Sequence, residues 1–185
     1  MKTLKQHPVR LVALALGLGL VAFGVVLAVQ HRNEPSVPRL VQQHADAPAF
    51  NMTTLDGKPL SSASLRGKTY VVNFFNSWCI PCQQEAPALK AFYDEHKNDP
   101  DFAMVGVVHD DDASTMRAYV RAEQVGYPVG LDPNGVTASN YGTTGQPETY
   151  VIRPDGVAAC GRLGASSLAE LDAWLQAARS GQVCT

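Results

Sequence analysis

The sequence predicts an α/β domain: a mixed β-sheet with helices on both faces, preceded by one apolar span near the N-terminus. Three observations carry this reading. Two buried-strand runs, Tyr70–Phe75 and Phe102–Val108, alternate with stretches of helical periodicity. Two short apolar runs flank Pro154–Asp155–Gly156, a turn sequence, and read as an antiparallel hairpin. A stretch from Leu11 to Val29 runs nineteen residues without a charge, and about 20 apolar residues cross a bilayer core.

The elements follow in order. Residues 1–10 carry Lys2, Lys5 and Arg10 ahead of the apolar span at 11–29. Such basic flanks favour a cytoplasmic N-terminus, although Arg32 and Arg39 on the far side weaken the bias. An uncleaved signal anchor is favoured over a cleaved signal peptide. A secretory signal has a shorter apolar region, about 7–15 residues, with a small-residue cleavage site close behind. The Ala45–Asp46–Ala47 triplet lies far downstream and precedes Pro48. Residues 30–46, with Pro35 and Pro38, read as a tether. The domain is expected over 47–185, on the outer face of the membrane (periplasm or cell exterior), where disulfides persist.

Within the domain, Tyr70–Phe75 is the first strand expected. Pro81 to Lys97 reads as a helix whose Cys82, Ala86, Leu89 and Tyr93 share one face. Phe102–Val108 is a second buried strand. Asp112 can cap a helix running to about Val125 and ending at Gly126. Thr149–Ile152 and Val157–Cys160 form the hairpin. Ser167, with Glu170 three residues on, is a capping box opening a last helix that buries Leu168, Leu171 and Leu175. A net charge of −2 shows no electrostatic footprint for nucleic acid.

Four cysteines are too few to staple a chain of 185 residues, and two of them form Cys79–Ile80–Pro81–Cys82. That spacing points to redox or metal chemistry. Cys79 stands where a strand and loop run into a helix, whose first N–H groups lack internal acceptors and carry partial positive charge. A thiolate there is stabilised below the free cysteine pKa of about 8.5. Pro81 fits the first turn, where its missing N–H is not needed. Cys79 is therefore the exposed attacking thiol and Cys82 the resolving thiol. Structural zinc needs four ligands, and neither Cys160, Cys184 nor the histidines supply a second pair. No metal and no cofactor are expected. Glu85 lies three residues after Cys82 and shares its helix face. It is either a proton partner for a buried thiol or a solvated glutamate of the first turn.

Asn73–Phe74–Phe75–Asn76–Ser77–Trp78–Cys79–Ile80–Pro81–Cys82 resembles the active-site strand and turn of the TlpA/ResA/CcmG (DsbE-like) group of thioredoxin-like thiol–disulfide oxidoreductases. Leu65–Arg66–Gly67–Lys68 is similar to that group's lead-in segment. Gly142–Ile152 resembles its proline loop and following strand. The likeness covers about residues 47–180. It implies a thioredoxin-like fold and a cis bond before Pro147, which with Gln146 and Trp78 meets the partner. It supports the proton-handling reading of Glu85. Glu148 resembles an acidic residue that some members carry beside the site. It either selects partners by charge or is an ordinary hairpin-edge glutamate. The implied partners are protein disulfides, apocytochrome c among them, with a membrane thiol transporter as electron donor.

Cys160 and Cys184 stand open between a second disulfide and two free thiols. Asp110–Asp111–Asp112 lacks calcium-loop spacing, and a capping role suffices. Competing functions are a disulfide-forming oxidase, since direction depends on reduction potential, and a copper or haem chaperone using the thiols as soft ligands, with His109, by its strand-end position, the only nearby histidine candidate. A peroxidase reading is weak, because residues 73–79 lack a Pro-x-x-x-Thr-x-x-Cys pattern.

Overall fold

The computed structural model describes residues 45–184, together with Leu16. Apart from Leu16, the expected membrane span lies outside the described residues, as does nearly all of the expected tether. Among the described residues no helix is long and apolar enough to cross a membrane.

Over residues 45–184, seven strands and four α-helices follow in order, with a 3-10 turn at Ser62–Leu65 after the second strand: β1 (Asn51–Thr54), β2 (Pro59–Ser61), β3 (Thr69–Phe74), α1 (Ile80–His96), β4 (Phe102–Val108), α2 (Ala113–Ala122), β5 (Val129–Leu131), α3 (Val136–Tyr141), β6 (Glu148–Ile152), β7 (Ala158–Leu163) and α4 (Leu168–Arg179). They build one sheet in the order β2-β1-β5-β4-β3-β6-β7. β4 pairs parallel with β3 and β5; every other pairing is antiparallel. This is a thioredoxin-like fold with a mixed central sheet.

Every residue of β3 is buried, because helices cover both sheet faces. Alternation sorts them. Val71, with Phe75 just past the strand, joins Leu89 and Phe92 of α1, Met116 of α2, and Leu171 and Leu175 of α4. Tyr70, Val72 and Phe74 join Ala138 and Tyr141 of α3 on the other face. The strands expected at Tyr70–Phe75 and Phe102–Val108 are thus central, and the β6–β7 hairpin turns through Pro154–Gly156. The capping box at Ser167 and Glu170 is formed. α1 buries Cys82, Ala86 and Leu89 as its periodicity implies, but also Glu85 and Phe92, while Tyr93 is only half-buried.

α2 is shorter than its pattern implied. Asp112 accepts the N–H groups of Ser114 and Thr115, but the helix stops at Ala122 and Gln124 turns left-handed at φ 55°. Gly126 serves a close approach instead of a helix end. A Cβ there would stand 2.9 Å from the ring of Tyr93, closer than packed carbons come. The short elements β1, β2, β5 and α3 had no signal of their own in the sequence.

Candidate active site

The redox motif lies where β3 ends and α1 begins. β3 leaves the sheet at Phe74, and Cys79 becomes the N-cap of α1 with extended backbone. Its Sγ accepts the N–H of Cys82 at 3.2 Å. Pro81 sits in the first turn, where no N–H is required. Cys79 and Cys82 are joined in a disulfide with Cα atoms 5.2 Å apart.

The expectation of an exposed Cys79 needs correction. Cys79 is 4% exposed and Cys82 2%. Both pack into the core on one sheet face, with Phe75, Leu89 and Phe92. The exposed groups are their neighbours: Trp78 at 59%, Ile80 at 66%, and Pro81 between the two cysteines. Trp78, Ile80 and Pro81 therefore form the surface that surrounds the buried sulfurs.

Glu85 is 2% exposed, three residues into the helix beyond Cys82, so the solvated reading does not hold. One carboxylate oxygen accepts the backbone N–H of Ser166 at 2.7 Å. The other accepts Asn73 Nδ2–H at 3.3 Å. Asn73 also donates to Thr149 Oγ1 at 2.9 Å, and its own Oδ1 has no partner. Burial pushes the Glu85 pKa up to about 7, with the hydrogen bonds from Ser166 and Asn73 pulling the other way. The Asn73 amide can turn over so that Oδ1 accepts from a protonated Glu85 and from the Thr149 hydroxyl. The pocket thus accommodates either protonation state. Asn73, Thr149 and Ser166 come from three distant stretches of chain, and no motif announced them as a set.

The Gln146–Pro147 bond is cis, at the start of β6. β6 runs antiparallel beside β3, with Glu148 opposite Phe74, so Pro147 and the redox turn share one end of the sheet. Pro147 is buried, and its carbonyl accepts Gly164 N–H at 2.8 Å. Gln146 is half-buried, and its amide reaches His109 Nε2.

Neither reading of Glu148 survives. It has no exposed surface and so presents no charge to a partner. It faces the opposite sheet face from Glu85, accepting the Tyr150 hydroxyl and the N–H of Thr144. Burial raises its pKa, against the pull of the Tyr150 and Thr144 bonds.

Cys160 and Cys184 are joined in a second disulfide with Cα atoms 5.1 Å apart. The tail is also tied by Cys184 N–H to Ala159 carbonyl at 3.0 Å. Away from the redox end, Glu95, His96 and Asp172 bring potential metal-ligand atoms together. The His96 nitrogens already face Asp99 and Asp172, and Arg179 binds Asp99 and Asp101. That network joins the ends of α1 and α4.

Residues 44–159 match the AhpC/TSA family. The chain belongs to the AhpC/TSA family. The chain is 32% identical over 140 residues to the thiol:disulfide interchange protein CycY of Rhizobium leguminosarum bv. viciae, covering 74% of this chain and 72% of that one. It is 25% identical over 161 residues to sporulation thiol-disulfide oxidoreductase A of Bacillus subtilis, covering 86% and 92%. Among solved structures, a thioredoxin-family thiol:disulfide interchange protein from Chlorobium tepidum superposes with a TM-score of 0.66 at 33% identity, covering 73% of this chain and 96% of that one.

Proposed function

We propose that this chain is a membrane-anchored, extracytoplasmic thiol–disulfide oxidoreductase that reduces disulfides of specific protein partners. The observation that carries it is the cysteine pair at the start of α1. The sulfur of the N-cap residue Cys79 receives a helix N–H, beside two large exposed side chains. Its relatives' names, thiol:disulfide interchange protein and thiol-disulfide oxidoreductase, support the same chemistry.

In the reduced protein, the Cys79 thiolate attacks one sulfur of the partner's disulfide. The Cys79–partner bond forms, and the partner's second sulfur leaves as thiolate. The Cys82 thiol passes its proton to Glu85, whose pKa of about 7 suits it to accept one near neutrality. The Cys82 thiolate then attacks Cys79 Sγ. This closes the Cys79–Cys82 disulfide and frees the partner's first sulfur. Two electrons have passed to the partner, and a thiol donor must restore the pair.

The anchor reading rests on the apolar run at 11–29 and its basic flank. Apocytochrome c as substrate and a membrane thiol transporter as donor rest on family resemblance. The test is a Cys82→Ser variant expressed in its native membrane. Trapped mixed disulfides identified by mass spectrometry are expected to join Cys79 to cysteines of exported proteins. Trapping of cytosolic proteins alone, or fast alkylation of Cys82 instead of Cys79 in the reduced wild type, would overturn the reading.

A further inference from the structure

The loop between β4 and α2, His109–Asp112, touches the redox end of the molecule on two sides. Asp111 Oδ2 accepts the Ser77 N–H at 2.6 Å. The Asp110 carbonyl accepts Trp78 Nε1–H at 3.2 Å. His109 Nε2 accepts the Gln146 side-chain amide, while His109 Nδ1 lies 3.1 Å from Asp110 Oδ2. The residues held are those immediately before Cys79 and immediately before the cis proline.

Helix capping does not account for this loop. Asp112 alone accepts the free N–H groups of Ser114 and Thr115. Between the contacts, Asp110 takes left-handed backbone at φ 57°, a region few non-glycine residues occupy. Backbone in such a region persists only where its surroundings hold it.

We propose that the His109–Asp112 loop is a substrate-specificity element of the redox site, in which His109 and Asp111 are positioning residues for Gln146 and the Ser77–Trp78 turn. The inference rests on the redox reading above. Trp78 is mostly exposed, and a large exposed side chain samples several rotamers unless something holds it. Anchoring its indole and the Gln146 amide in advance lowers the ordering cost of binding a polypeptide. A small disulfide covers little of those walls and gains little from their being held in advance. The loop therefore acts on partner size and shape, and leaves the exchange step alone.

The test compares second-order rate constants of the reduced, full-length protein with two probes, a cystine-bridged synthetic peptide and oxidised glutathione. For His109→Ala and Asp111→Ala, the peptide rate falls about three- to tenfold. The glutathione rate stays within about twofold, as fits a step the walls do not enter, and the reduction potential is unchanged. Asp111→Asn keeps an acceptor for the Ser77 N–H without the charge and retains the wild-type peptide rate. Near-UV circular dichroism of each variant verifies native tertiary packing. Equal loss with both probes, no loss with either, or an Asp111→Asn variant as impaired as Asp111→Ala overturns the inference. Failure of the wild-type protein to exchange with either probe would overturn the redox reading itself, and this inference with it.

Discussion

Cys79–Cys82 and Cys160–Cys184 close loops of very different length, and three of their four sulfurs lie in dry surroundings. The first spans three positions at the start of α1, and the second spans 24 and encloses the whole of α4. Cys79, Cys82 and Cys160 are all at least nine-tenths buried, while Cys184 is half-buried. Exposure alone would point to the tail cysteine as the reactive one. Local electrostatics point the other way. Cys79 sits at a helix N-terminus with an N–H aimed at its sulfur, whereas Cys160 lies inside β7, paired to Val151. The short bridge restrains little of the unfolded chain, so it can open at small loss of stability. The long one restrains a segment that carries Ser166, the residue whose N–H meets Glu85.

The largest test of this contrast exchanges the roles. Cys79→Ser should bring reduction of a peptide disulfide down to the uncatalysed rate, measured by thiol release. Cys160→Ser should leave that rate within about twofold, because Cys160 lies outside the exchange step. If both variants lose activity alike, the division of labour between the bridges is wrong. Next in size, Cys160→Ala combined with Cys184→Ala should lower the unfolding free energy by about 3 kcal/mol, the chain-entropy value for a loop of this length. Urea denaturation of the oxidised protein measures it.

The third test reads Glu85. Its folded pKa is raised from 4.5 to about 7, so the folded protein binds that proton more tightly than the unfolded chain does. The stabilisation is fully present below pH 4.5, is lost as pH rises to about 7, and is absent above that. Glu85→Gln should therefore gain about 2 kcal/mol over wild type on going from pH 5 to pH 8. Urea midpoints at the two pH values measure this, and an equal difference at both would mean Glu85 is ionised throughout. The same variant should slow release of the mixed disulfide and spare its formation. Smallest, Ser167→Ala removes the N-cap of α4 and should cost about 1 kcal/mol. That cost should persist when the Cys160–Cys184 bridge is absent, if the bridge acts on the unfolded chain more than on the helix.

What could be read in the sequence was what neighbours along the chain decide. The Cys79–Cys82 spacing, the buried runs of β3 and β4, the Pro154–Gly156 turn and the Ser167–Glu170 box each act within a few residues, and each appears where its pattern places it. The strands β1, β2 and β5 and the helix α3 span three to six residues, too few for a period to show. Burial of Glu148 depended on which sheet face it took and on Tyr150 beside it. The Cys160–Cys184 bridge depended on a distance across 24 positions. The surroundings of Glu85 join it to Ser166, 81 positions away, and to Asn73, 12 positions before it. A side chain's type is written in the sequence. Its dielectric surroundings and hydrogen-bond partners are set by chain segments that only folding brings together, and those decide whether a carboxyl holds its proton and which sulfur a partner can reach.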